Sequence, residues 1–137
     1  MSHHRGTFPP TLDAFPRVAA FLEEVCAAAA FGRDDSLRLT LVVEELFTNT
    51  VMHGLPDGAP IELVLEALPG HIAVTYEDLG PPFDPFAARE LPTEADDIEH
   101  LPVGGLGLVL IVRLSEDLHY THTDGRNRIS LVMRSPR

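Results

Sequence analysis

Two hairpins constrain this chain more than any other feature. In residues 61–67, Ile61, Leu63 and Leu65 alternate with Glu62 and Glu66; in residues 71–77, Ile72, Val74 and Tyr76 alternate in the same way. A period of two gives each strand one apolar face. Pro69-Gly70 between them reverses the chain. Residues 118–123 and 128–133 form a second pair about Asp124-Gly125, a dipeptide that tolerates the left-handed backbone of a tight hairpin turn. An antiparallel sheet with one apolar face must be covered, and three helical segments are available to cover it.

The first segment spans residues 13–30, with Val18, Phe21, Leu22 and Val25 at helical spacing and Gly32 as the stop. The second spans residues 37–53. Asp34, Asp35 and Ser36 offer N-cap oxygens before it and Gly54 ends it. The third, residues 108–116, is apolar nearly all round apart from Arg113, which predicts a buried helix. Residues 1–12 are polar; residues 5–8 add an edge strand at most, and His3 and His4 fall in a disordered tail. Residues 81–103 lose all periodicity, are acidic and proline-bearing, and read as a lid. The expected fold class is α+β: a two-layer α/β sandwich whose mostly antiparallel sheet is covered by three helices on one face. Its 137 residues suit a single domain spanning 1–137.

Composition excludes several kinds of chemistry. The 10 basic residues are all arginine, so there is no P-loop or Schiff-base lysine. A single cysteine, Cys26, excludes a disulfide framework and a thiolate metal cluster, and reads as a small core residue. A net charge of −11 disfavours direct binding to nucleic acid or to anionic membrane. No apolar run is long enough to cross a bilayer, and the start lacks the apolar middle of a signal peptide, so a cytoplasmic protein is expected. His119 and His122, three apart on a strand, point to opposite faces and cannot clamp one ion.

Three segments could carry chemistry. Glu45, Asn49 and His53 recur every four residues on the second helix, at the margin of its apolar stripe. A carboxylate there could act as a general base, and an amide oxygen is a hard ligand suited to Mg²⁺. The plainer alternative is a boundary carboxylate and an asparagine bonded to nearby backbone. Asp78 ends a strand, two residues before Gly80, where its carboxylate could accept from an exocyclic amine such as adenine's or simply close an Asx turn. Gly104-Gly105-Leu106-Gly107 opens the third helix. Unpaired N–H groups at a helix start suit phosphate, though glycines also permit tight packing or a hinge.

Taken together, in this order and spacing, the three segments resemble the GHKL (histidine-kinase-like) ATPase superfamily, and within it the anti-sigma factor serine/threonine-protein kinase family. Glu45, Asn49 and His53 match its N-box, Asp78-Leu79-Gly80 with Phe83-Asp84-Pro85 its first glycine box, and Gly104 to Gly107 its second. The first glycine box carries Pro82 where the family usually has a second glycine, so the loop beside the base is expected to differ. The resemblance implies ATP and Mg²⁺ as cofactors. Asn49 is then the metal ligand, Glu45 the base that activates the attacking hydroxyl, and Asp78 and Gly80 the adenine contacts. His53, Gly104, Gly105, Leu106 and Gly107 complete the nucleotide site. The implied reaction is phosphorylation of an anti-sigma factor antagonist by a protein that also sequesters a sigma factor, regulating transcription through protein contacts, as a homodimer. The alternative is a non-catalytic GHKL-type binding module acting as a protein-interaction switch.

Overall fold

The computed structural model describes residues 2–53, 58–86 and 105–135, the side chains at 105 and 106 apart. The chain runs β1 (Ser2–Phe8), a single 3₁₀ turn (Leu12–Ala14), α1 (Phe15–Ala28), α2 (Arg33–His53), β2 (Ile61–Leu68), β3 (His71–Asp78), α3 (Gly105–Leu114), β4 (Glu116–Thr123) and β5 (Arg126–Arg134). The five strands form one sheet in the order β1-β2-β3-β5-β4, with every neighbouring pair antiparallel. The α+β sandwich read from the sequence is the observed architecture.

The alternation that defined the hairpins sets the register. Leu63 pairs with Tyr76 and Leu65 with Val74, so the apolar faces of β2 and β3 coincide. Ile72 pairs with Met133, Val74 with Leu131 and Tyr76 with Ile129, extending that face across β5. The helices close over it. Val18, Leu22 and Val25 of α1, Leu39, Val42, Val43, Leu46 and Phe47 of α2, and Leu108 and Ile111 of α3 are all buried in one core. Removing such side chains from water is the main drive to fold.

Several boundaries differ from the expectation, each for a physical reason. His3 and His4 are not in a disordered tail: they lie in β1, which covers the whole edge of β2 from Ser2↔Ala67 to Phe8↔Ile61. His3 sits 3.3 Å from Glu66 and Arg5 3.7 Å from Glu62, while Phe8 buries its ring edge-on to Phe21, centroids 5.7 Å apart. Main-chain pairing and one aromatic anchor thus make a strand from a sequence without alternation. α1 begins at Phe15, with Pro16 in its first turn where a missing N–H costs nothing. It ends earlier than Gly32, because Ala30 itself takes the left-handed position (φ 58°) and Phe31 N–H donates to the Cys26 carbonyl at 2.9 Å.

α2 starts at Arg33, so Asp34 and Asp35 are first-turn acids complementing the helix dipole and not N-caps. Asp35 accepts from the Arg38 guanidinium and, at 2.9 Å, from the Ser135 hydroxyl, which ties this end of α2 to the end of β5. α3 starts at Gly105, three residues before the expected 108, and stops at Leu114; Glu116 belongs to β4.

Candidate functional site

The C-terminal half of α2 leans across the ends of β3 and β5, and a cavity of about 210 Å³ opens between them. α2 contributes Leu46, Asn49, Thr50 and His53; β3 contributes Tyr76 and Asp78; β5 contributes Asn127 and Ile129. Gly80, Pro81, Pro82, Phe83 and Pro85, in the segment after β3, form the remaining wall. Four of the residues assigned to the nucleotide site from the sequence, Asn49, His53, Asp78 and Gly80, therefore line one space, with Pro82, Phe83 and Pro85 of the first glycine box. The walls are mostly apolar with a few converging polar groups, the usual character of a small-molecule site.

Asp78 is held through both carboxylate oxygens. Its Oδ1 accepts from the Gly80 N–H at 2.9 Å and from the Asn127 amide at 3.0 Å. Its Oδ2 faces the Thr50 hydroxyl at 3.4 Å, and that hydroxyl also lies 3.1 Å from the Leu46 carbonyl. Tyr76, whose hydroxyl is held well above its usual pKa by burial, donates to Thr50 Oγ1 at 2.8 Å. Helix α2 and strand β3 are thus joined by hydrogen bonds directly beneath the cavity. Oδ2 is the less engaged oxygen of the pair.

Asn49 lines the cavity with its side-chain amide unpaired among the described residues. That leaves an amide, with its hard oxygen donor, in the cavity wall. A lone amide oxygen is too few donors to hold Mg²⁺ unaided, but the ion commonly takes one or two protein ligands and completes its shell with phosphate and water. Asn49 therefore fits a metal that arrives with an anionic ligand. Among the described residues, no group of three or more His, Cys, Asp or Glu side chains could hold a metal ion. His53 lies against Phe83, the two rings tilted 43° to each other with centroids 4.0 Å apart.

Glu45 does not line the cavity. It lies one turn before Asn49 on α2, half-buried against the first turn of α3. A Cβ placed on Gly107 would stand 1.9 Å from Glu45 Oε2 and 2.4 Å from its Cδ. Glycine at 107 is what lets the carboxylate approach. Burial, with a smaller contribution from the neighbouring Glu44, raises the Glu45 pKa above the ordinary glutamate value. Gly105 and Leu106 open α3. Gly104 and the lid positions 87–103 lie outside the described residues.

Asn127, Thr50 and Tyr76 were not anticipated as site residues. Thr50 and Tyr76 were hidden among apolar positions. For Asn127 a signal existed: it continues the inward row Ile129, Leu131 and Met133 by one step of two, and an amide at a buried strand position needs a partner. Cys26 is a buried core residue, as expected.

The model of the histidine kinase-like ATPase domain matches residues 8–133, nearly the whole chain. This protein is a member of the histidine kinase-like ATPase domain family. Among curated relatives it resembles the serine-protein kinase RsbW of Bacillus cereus strain AH187, 30% identical over 105 residues that cover 74% of this chain and 66% of that protein. The same kinase from strain G9842 is 32% identical over 100 residues, covering 69% and 62%. The chain thus spans just under two thirds of the length of the curated relatives it matches. Among solved structures, the RsbU and RsbW domains of a Mycobacterium tuberculosis protein superpose with a TM-score of 0.69 at 18% identity, over 98% of this chain and 32% of that one. That likeness establishes the shared fold. No helix among the described residues of this family member is long and apolar enough to cross a membrane.

Proposed function

We propose that the protein is an ATP-dependent serine/threonine protein kinase of the anti-sigma factor type. The observation that carries this reading is the convergence of Asn49 and Asp78 on one cavity, with Glu45 one helical turn away against Gly107. The base of the nucleotide enters between α2 and the segment after β3, where Asp78 Oδ2 accepts the adenine amine and Gly80, itself buried, permits close approach. Asn49 would hold Mg²⁺ through its amide oxygen, and Gly105, Leu106 and Gly107 at the start of α3 would surround the phosphates; Gly104, outside the described residues, is assigned to the same role by the second glycine box alone. Mg²⁺, when bound, neutralises charge developing on the phosphates. Phe83 and His53 flank the mouth of the cavity.

Glu45 takes the proton of the attacking hydroxyl. Its pKa, raised by burial, makes its carboxylate a better base than a solvated glutamate. The phosphoryl acceptor is a serine or threonine of an anti-sigma factor antagonist, and the regulated partner is a sigma factor. The net charge of −11 favours a partner with basic patches over DNA itself. The curated RsbW relatives, named serine-protein kinases, support this reading. It extends to a homodimer working in the cytoplasm.

The test is phosphotransfer from labelled ATP to a candidate antagonist by wild type and Glu45→Gln. The variant should keep ATP binding and lose about 10²–10⁴ in transfer rate. Transfer at the wild-type rate would remove Glu45 from this role.

A further inference from the structure

Asn127 stands apart in the cavity wall because nothing of its side chain is left over for a ligand. It is 7% exposed. Its Nδ2 has two hydrogens and three acceptors: Pro81 O at 2.8 Å, Asp78 Oδ1 at 3.0 Å and Gly80 O at 3.3 Å. Its Oδ1 accepts from Phe83 N–H at 3.0 Å and from the Tyr120 hydroxyl. The two ends of the amide cannot be exchanged, since the three oxygens lie on one side and the N–H on the other. One side chain on β5 therefore grips the carboxylate that ends β3, both carbonyls of Gly80 and Pro81, and the backbone of Phe83. The gripped turn carries Pro82, whose ring fixes its own φ, so this wall is stiffened twice.

We infer that Asn127 is a positioning residue that sets which purine the cavity accepts. The inference rests on the nucleotide reading above and adds the element that makes it selective. With Oδ1 of Asp78 tied to Asn127 and to Gly80 N–H, the carboxylate cannot turn, and Oδ2 is presented to the cavity in one orientation. A purine with an amine at C6 satisfies that oxygen. A purine with a carbonyl there sets oxygen against oxygen, and a carboxylate held on its other side cannot rotate away. Freed from Asn127, the carboxylate could swing to suit either base, so selectivity should fall further than affinity. Wrong-partner rejection of this kind depends on the site's own polar group being left unpaired.

The experiment is calorimetric titration of the whole chain with ATP and with inosine triphosphate, which carries a C6 carbonyl in place of the amine. Wild type should prefer ATP by about tenfold or more, the worth of a hydrogen bond to a charged acceptor. Asn127→Ala, checked for a cooperative thermal transition, should bring the two affinities to within about threefold of each other. A folded Asn127→Ala that binds ATP more weakly at the wild-type ratio has lost only packing, and overturns the inference. Wild type binding both nucleotides equally overturns the inference while leaving nucleotide binding intact. Wild type binding neither overturns the nucleotide reading and this inference with it. Should Asn127→Ala not fold, Tyr120→Phe loosens the same amide from its oxygen side. A narrowed ratio then supports the assignment, and an unchanged ratio overturns it.

Discussion

Gly107→Ala, made in two backgrounds, tests whether Glu45 sits where α3 admits it. Gly107 lies in the first turn of α3, where alanine is worth about 0.5–1 kcal/mol over glycine in helix propensity. Only Gly58, Gly70 and Gly125 among the described glycines have positive φ, so alanine meets no backbone objection at 107. The objection is Glu45: the new methyl would stand 1.9 Å from Oε2, 2.4 Å from Cδ and 3.1 Å from Cγ. These are the outer atoms of a flexible side chain, so Glu45 swings aside, at a rotamer cost of about 0.5–1.5 kcal/mol. The two terms nearly cancel, and Gly107→Ala in the wild-type background should change stability little. In a Glu45→Ala background the collision is gone, and the same substitution should stabilise by its full propensity gain. The coupling read from the four proteins by urea unfolding should be about 0.5–1.5 kcal/mol. Equal stabilisation in both backgrounds would refute the packing of Glu45 against α3.

Three further outcomes follow from the same geometry. Thr50→Val strips the acceptor from the buried Tyr76 hydroxyl and should cost about 1–3 kcal/mol, whereas Thr50→Val with Tyr76→Phe removes both partners and should be the more stable of the two in urea unfolding; the reverse order would contradict the hydrogen bond. Glu45 must be ionised to act as a base, so the transfer rate should fall as pH drops through a pKa above the ordinary glutamate range, and Glu44→Gln should move that limb to lower pH by removing the like charge; a limb indifferent to Glu44 would count against the assigned cause. Because the folded-state pKa of Glu45 is raised, its contribution to stability is present below the unfolded value and lost as pH rises through the folded one, so Glu45→Gln should be more stable than wild type near neutral pH by thermal unfolding, and a less stable variant would contradict the burial cost.

What was legible in the sequence was whatever depends on local period. Leu63 and Leu65 opposite Tyr76 and Val74, with Ala67 opposite Ile72, determine both the strands and their register, because a slip of one residue would turn every apolar side chain outward. The row of Glu45, Asn49 and His53 was legible for the same reason on α2. What was not legible depends on tertiary partners. β1 has no alternation and exists because the edge of β2 offers a ladder and Phe21 a seat for Phe8. The glycines that open α3 look like loop residues, yet α3 winds through Gly105 and Gly107, where the bare Cα of Gly107 leaves room for Glu45. Asn127 fell one residue outside the expected strand, and its five partners lie 7 to 49 residues away in the chain or on the turn after β3, which no local window contains. Of the expected site, Asn49, His53, Asp78 and Gly80 meet at one cavity, Glu45 and Gly107 meet beside it, and Gly104 falls outside the described residues.

The central claim is that α2, β3 and β5 enclose a seat for a magnesium nucleotide, with Asn49 as the link to the metal. Titration of wild type and Asn49→Ala with ATP, each with and without Mg²⁺, tests it most directly. Wild type should bind ATP more tightly when Mg²⁺ is present, and Asn49→Ala should bind with an affinity that no longer responds to the metal. Absence of ATP binding by wild type, or an identical metal response in both proteins, would contradict the account.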